Sequence, residues 1–151
     1  LLIESTKIKS HIVCQDPKES GMRSILNLGH TIGHVLESIT QYQLNHGQAV
    51  ALGIRSEAFI SYQMGLLSQS DLENINVLLS QYQQPQHIHD LDVSQAISLM
   101  SLDKKSKNNK PHCVLLEKLG SVYTHNGQYT HAIDRPLLEA GLNYITAGNL
   151  T

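Results

Sequence analysis

The chain reads as a mainly α protein, a multi-helix domain with a small β-hairpin near residues 112–133. Three observations predict this. Apolar residues recur at helical spacing through most of the chain. Residues that stop or cap helices fall between these stretches: Asp16-Pro17, Asn45, Ser68 or Ser70, and Asp134-Arg135-Pro136. From Cys113 onward the pattern changes to short extended runs on either side of Gly120.

Taken in order, residues 1 to about 15 form a helix with Leu2, Ile3, Ile8 and Ile12 on or near one face, and Asp16-Pro17 ends it. The first residue is Leu1 rather than Met, so the chain reads as one entered partway through a helix. A second helix runs from near Gly21 to about Ile39. Asn45 caps a third, from His46 to Leu66, whose Val50, Leu52, Ile54, Ala58, Phe59, Ile60 and Met64 make it central. Ser68 or Ser70 caps a fourth through about Tyr82, and residues 83–90, with Pro85, form a loop. Val93 to Leu102 is a short helix and Lys104 to Pro111 a basic, polar loop. Cys113–Leu116 and Ser121–Thr124 pair around Gly120, with Tyr129–Ile133 a further extended piece. Asp134 as N-cap and Pro136 in the first turn start a last helix to about Thr146. No repeat or linker divides the chain, which reads as one domain over residues 1–151.

Composition narrows the function. A formal net charge of −2 with no clustered basic run argues against nucleic acid as a partner. Cys14 and Cys113 are far apart in sequence, which suits a reduced compartment and no structural disulfide. No apolar run approaches the length of a membrane span and no signal peptide is evident, so the expected setting is cytoplasmic, away from membranes.

The chemistry concentrates in Arg23-Ser-Ile-Leu-Asn27-Leu-Gly-His30-Thr-Ile-Gly-His34-Val-Leu-Glu37, followed by His46-Gly47-Gln48. On a continuous helix, Arg23, Asn27, His30, His34 and Glu37 form one stripe roughly 80° wide. Met22, Ile25, Leu26, Leu28, Ile32, Val35, Leu36 and Ile39 cover the other faces, so this helix is expected to be buried almost all round, its stripe facing a cavity. Buried guanidinium, imidazole and carboxylate groups are costly unless paired or liganded, so such a row points to a site. A His-x-x-x-His pair alone shows only that two imidazoles share a face, a spacing that also occurs on ordinary surfaces. His46 lies 12 residues beyond His34 across a segment short enough to fold back, so three histidines and a carboxylate can meet. Neutral imidazoles with one open position suit catalytic zinc. Gly29 and Gly33 allow close helix packing, and His87-Ile88-His89 sits in a loop containing proline, where a solvated pair is the default.

These residues carry a resemblance. Lys9, Asp16, Glu19, Arg23, Leu26-Asn27-Leu-Gly-His30-Thr-Ile-Gly-His34 with Glu37, His46-Gly-x-Ala49-Val50 with Gly53, Asp103-Lys104-Lys105, Val114-Leu-Leu and Leu119-Gly120 resemble the C-terminal helical domain of 3-dehydroquinate synthase in order and spacing. The resemblance covers the whole chain. It implies a zinc- or cobalt-dependent (Zn2+ or Co2+) and NAD+-dependent phosphate-eliminating cyclase of the shikimate pathway, which converts 3-deoxy-arabino-heptulosonate 7-phosphate to 3-dehydroquinate and phosphate. His30 and His46 then resemble two metal ligands, while His34, Lys9 and Glu19 take catalytic roles, with His34 in proton transfer. Arg23, Asn27 and one or both of Lys104 and Lys105 resemble substrate-binding residues. Gln48 departs from the glutamate frequent after His-Gly in that family.

The resemblance further implies an N-terminal NAD-binding α/β domain that supplies a third, glutamate, metal ligand, and a homodimer as the full-length state. This chain holds no glycine-rich dinucleotide motif, so by itself it is expected to carry half of the active site and to be inactive. Other readings are a related sugar-phosphate cyclase, such as a deoxy-inosose synthase, and a catalytically silent helical binding module.

Overall fold

The helix His46–Gln63 (α3) is the centre of the molecule, with Ala49, Leu52, Ala58 and Ile60 fully buried. The computed structural model describes residues 2–18, 21–102 and 110–146. In chain order the other helices are α1 (Leu2–Gln15), α2 (His30–Ile39), α4 (Gln69–Gln81), α5 (Val93–Leu102) and α6 (Arg135–Thr146), with a 3-10 turn over Met22–Asn27. Around α3 pack α2, α4 and α6, and α5 bridges α2 and α6. The main core joins Ile32, Leu36, Leu52, Ile60, Ile97, Met100, Leu115, Ile133, Leu138, Leu142 and Ile145. A smaller cluster under α4 joins Ala58, Leu67, Leu72, Ile75 and Leu116.

Most element boundaries follow the local chemistry. Asn45 caps α3 through a capping box: its side chain accepts the Gln48 N–H at 2.9 Å and its own N–H donates to Gln48 Oε1 at 3.1 Å. Gln48 thus has a structural task that a glutamate would perform equally well. Helix α3 ends at Gln63, three residues before the expected Leu66, and Gly65, at φ 72°, follows its C-cap. Ser68 caps α4. Helix α5 spans Val93–Leu102 and α6 begins at Arg135, as read from the sequence.

The β region is two small ribbons rather than one hairpin. Strand β2 (Leu116–Lys118) pairs antiparallel with β3 (Ser121–Val122) around the Gly120 turn, and β1 (His112–Cys113) pairs with β4 (His131–Ala132). The expected hairpin and its third extended piece are therefore both present, with the third piece pairing to β1.

One expectation fails. The helix predicted from near Gly21 to Ile39 is broken: Met22–Asn27 form the 3-10 turn, and Gly29, at φ 76°, starts α2 afresh at His30. The cause is tertiary. At this point the chain crosses α3 so closely that a Cβ on Gly53 would lie 2.0 Å from the Gly29 carbonyl oxygen, and one on Gly29 would lie 2.6 Å from the Val50 carbonyl oxygen. A straight helix carries side chains and a closed backbone ladder where this crossing needs bare backbone. The single stripe from Arg23 to Glu37 does not exist as drawn, and α2 is not buried all round. It buries Ile32, Gly33, Val35 and Leu36 and leaves His34 exposed.

Candidate metal and substrate site

The site is built where α2 and α3 lie antiparallel at small residues. A Cβ on Gly33 would lie 3.2 Å from the Ala49–Val50 backbone, so the bare glycine lets the two helices approach closely enough for their histidines to meet. The connection that reverses the chain is tight. Gln41 and Tyr42 both adopt left-handed backbone conformations, φ 51° and 62°, and the Tyr42 N–H returns to the Glu37 carbonyl at 2.8 Å. Two consecutive non-glycine residues held there store local strain of about 1 kcal/mol or more each. Asn45 then places His46 as the first residue of α3.

The three rings converge. His30 and His46 have ring centroids 5.3 Å apart, His30 and His34 5.7 Å, and His34 and His46 6.0 Å. His30 Nδ1 lies 3.1 Å from the Leu28 carbonyl oxygen, and His46 Nδ1 lies 3.2 Å from Glu37 Oε1. A carbonyl or carboxylate oxygen only accepts, so each Nδ1 carries the proton and donates it. That tautomer leaves each Nε2 as a lone-pair donor, the arrangement that orients a metal-binding imidazole. Among the described residues, the group whose ligand atoms all lie within 4.8 Å of one another is His34, Glu37 and His46; His30, expected from the sequence as a ligand, stands outside that group, and Glu37 can serve as a donor or as the orienting base of His46.

Beside the histidines a cleft of about 160 Å³ runs between α2 and the β1 strand, lined by Asn27, His30, Thr31 and His34 on one wall and Pro111, His112, Val114 and Thr130 on the other. The structure thus brings His30, His34, His46 and Asn27 into one neighbourhood. Arg23 and Lys9 do not line the cleft. Arg23 Nη1 donates to the Pro17 carbonyl at 3.1 Å, in a turn capped by Asp16, whose Oδ2 accepts the N–H groups of Gly21 and Arg23 at 2.8 and 3.0 Å. Lys9 is exposed on α1, which packs against that turn. Glu19, Lys104 and Lys105 lie outside the described residues. His87 and His89 have rings 5.2 Å apart but no third metal donor among the described residues.

The sequence reading did not single out the second wall of the cleft or the carboxyl behind it. Thr31 ties the walls together, its hydroxyl donating to the His112 carbonyl at 2.8 Å. Glu57 is completely buried in α3; its Oε2 accepts the Gly29 N–H at 2.7 Å, and burial pushes its pKa up to about 8. The available signal was an acidic residue among the apolar residues of the central helix. Arg55, also buried, is structural: it donates to the Pro85 carbonyl, Asn76 Oδ1, the Asn76 carbonyl and Ser80 Oγ, tying α3 to α4 and the following loop.

Solved structures share this fold. A 2-deoxy-scyllo-inosose synthase complexed with carbaglucose-6-phosphate, NAD+ and Co2+ matches 82% of this chain and 35% of its own, with TM-score 0.72 and 23% identity. A 2-epi-5-epi-valiolone synthase (ValA) from Streptomyces hygroscopicus with NAD+ and Zn2+ bound matches 89% of this chain and 36% of its own, with TM-score 0.73 and 18% identity. The family described as 3-dehydroquinate synthase C-terminal matches residues 1–106, and the chain belongs to it. The 3-dehydroquinate synthase of Legionella pneumophila is 42% identical over 125 residues, covering 82% of this chain and 34% of that protein. The pentafunctional AROM polypeptide of Kluyveromyces lactis is 38% identical over 136 residues, covering 82% of this chain and 8% of that polypeptide. The chain thus spans about a third of the length of the 3-dehydroquinate synthases it matches. Among the described residues, no helix is long and apolar enough to cross a membrane.

Proposed function

We propose that this chain is the metal- and substrate-binding part of a 3-dehydroquinate synthase, which converts 3-deoxy-arabino-heptulosonate 7-phosphate to 3-dehydroquinate and phosphate. The observation that carries the reading is the convergence of His30, His34 and His46, from two helices, beside a cleft in a chain of this family. The donor set fits a divalent ion such as Zn2+ or Co2+. His30 and His46 have their Nδ1 protons engaged and their Nε2 lone pairs available, and they are assigned as ligands. A third ligand and the NAD+ site are assigned to the part of the full-length protein outside this chain, a soluble protein acting as a homodimer. The ion, when bound, supplies Lewis acidity to the substrate hydroxyl that is oxidised.

The chain's own residues have distinct tasks. His34, exposed at the rim of the cleft, accepts or returns a proton from the substrate. Asn27 hydrogen-bonds substrate hydroxyls from the cleft wall, a role assigned to Glu19 as well. Arg23 is suited to a bidentate grip on a carboxylate, and Lys9, Lys104 and Lys105 are assigned to the substrate's anionic groups. For Arg23 and Lys9 this needs the turn and α1 to meet a substrate that extends beyond the cleft, toward the rest of the protein.

The test uses the full-length protein. His30→Ala and His46→Ala should lower bound zinc, while His34→Ala should keep zinc and lose turnover, read as phosphate release. Loss of zinc in folded His34→Ala, with zinc retained in His30→Ala, would refute the assignment.

A further inference from the structure

The roles above leave Glu57 without one, although it is a fully buried carboxyl in the core. Its carboxyl is fully buried where an apolar residue would pack. Oε2 is 2.7 Å from the Gly29 nitrogen, and Oε1, also buried, takes no nitrogen- or oxygen-donated hydrogen bond within the described residues. The Cys113 thiol, fully buried as well, lies beside the carboxyl and also bonds Thr31.

Both partners are sequence neighbours of residues that line the cleft. Gly29 starts α2 in a left-handed conformation with no side-chain cap, flanked by His30 and, two residues earlier, by Asn27. The His30 ring bonds back to Leu28, so the backbone at 28–30 sets the direction of its Nε2. Cys113 sits between His112 and Val114, both on the opposite wall. Without an acceptor, the buried Gly29 N–H would be orphaned at the point where the chain crosses Gly53.

We propose that Glu57 is a positioning residue for the site: by accepting the Gly29 N–H and meeting the Cys113 thiol, it holds the turn that aims Asn27 and His30 against the strand that carries His112. The metal readout of this inference rests on the reading of His30 as a ligand, and its backbone readout does not.

The experiment uses metal-free full-length protein titrated with Co2+, followed by visible absorption, in wild type, Glu57→Leu, Glu57→Gln and His30→Ala. Glu57→Leu keeps the volume and removes the acceptor; it should bind Co2+ about tenfold more weakly, with an altered spectrum, as expected when a group supporting a ligand is lost. Glu57→Gln keeps an amide oxygen for Gly29 and should stay within about threefold of wild type. Hydrogen exchange at the Gly29 amide should be at least about tenfold faster in Glu57→Leu than in wild type or Glu57→Gln. Should Glu57→Leu not fold, Glu57→Asp, whose carboxyl stops one methylene short of Gly29, takes its place with the same expectations. Wild-type Co2+ affinity, or wild-type exchange at Gly29, in the acceptor-deficient variant overturns the inference, and so does a Glu57→Gln variant as impaired as it. Wild-type Co2+ binding by His30→Ala overturns the ligand assignment instead, and Gly29 exchange then decides the role of Glu57 independently.

Discussion

Replacing Glu57 by glutamine should change how the stability of this domain depends on pH. Burial raises the Glu57 pKa from 4.5 to about 8, opposed only in part by the Gly29 N–H and the Cys113 thiol. The groups facing it are that amide and that thiol, with Thr31 behind Cys113; the thiol's own pKa is pushed up by burial and by Glu57. Below pH 4.5 the carboxyl is protonated in both the folded and the unfolded chain, and its contribution is fully present. Between 4.5 and about 8 the unfolded chain gives up the proton while the folded chain keeps it, so the folded state binds more protons and stability falls as pH rises. The slope is about a factor of ten in the folding equilibrium per pH unit, or about 3 kcal/mol between pH 5 and 7. A glutamine side chain does not titrate, so the Glu57→Gln variant should gain about 3 kcal/mol on wild type over that interval, whichever is the more stable at pH 5. Urea unfolding of both proteins at pH 5, 6 and 7 reads this difference, because everything but residue 57 is common to the two proteins. A stability difference that stays constant across the three pH values would show that Glu57 is ionised in the fold, and would refute the reasoning.

Other substitutions test the geometry that brings the histidines together. Gly53→Ala puts a methyl 2.0 Å from the Gly29 carbonyl oxygen, a clash with backbone that cannot rotate away; it should destabilise by about 3 kcal/mol or more in thermal unfolding, whereas Gly47→Ala, whose Cβ meets only Asn45 Oδ1 at 3.5 Å, should cost nothing. Asn45→Ala removes the capping box ahead of His46 and should lower stability by about 1 kcal/mol, while Gln48→Glu, which retains the reciprocal acceptor, should stay within about 0.5 kcal/mol of wild type in the same measurement. Arg23→Ala in the full-length protein should raise KM for the sugar phosphate more than it lowers kcat, because it removes a binding cation and leaves the histidines in place; an unchanged KM would remove Arg23 from the substrate site.

Much of this was readable along the chain, because it rests on local chemistry. Asp16-Pro17, Asn45, Ser68 and Asp134-Arg135-Pro136 mark helix ends through groups that cap the backbone or deny it a hydrogen bond within a few residues, and the structure keeps every one of those ends. The linear motif from Lys9 to Gly53 sufficed for the family, and His30, His34 and His46 could be expected to meet because so short a connection folds back. Tertiary structure decided what depended on contacts between distant segments. The break at Gly29 answers Val50 and Gly53, on a helix some twenty residues away, and no periodicity within residues 21–39 encodes it. The same break divides the expected polar stripe, leaving Asn27 on the cleft and Arg23 bonded to Pro17 in the turn beside it. Glu57 reads as an anomaly in an apolar helix until folding brings Gly29 and Cys113 to its carboxyl, across separations of 28 and 56 residues. A buried polar group is defined by the partners that packing delivers to it, and those partners are set by the whole fold rather than by the neighbouring sequence.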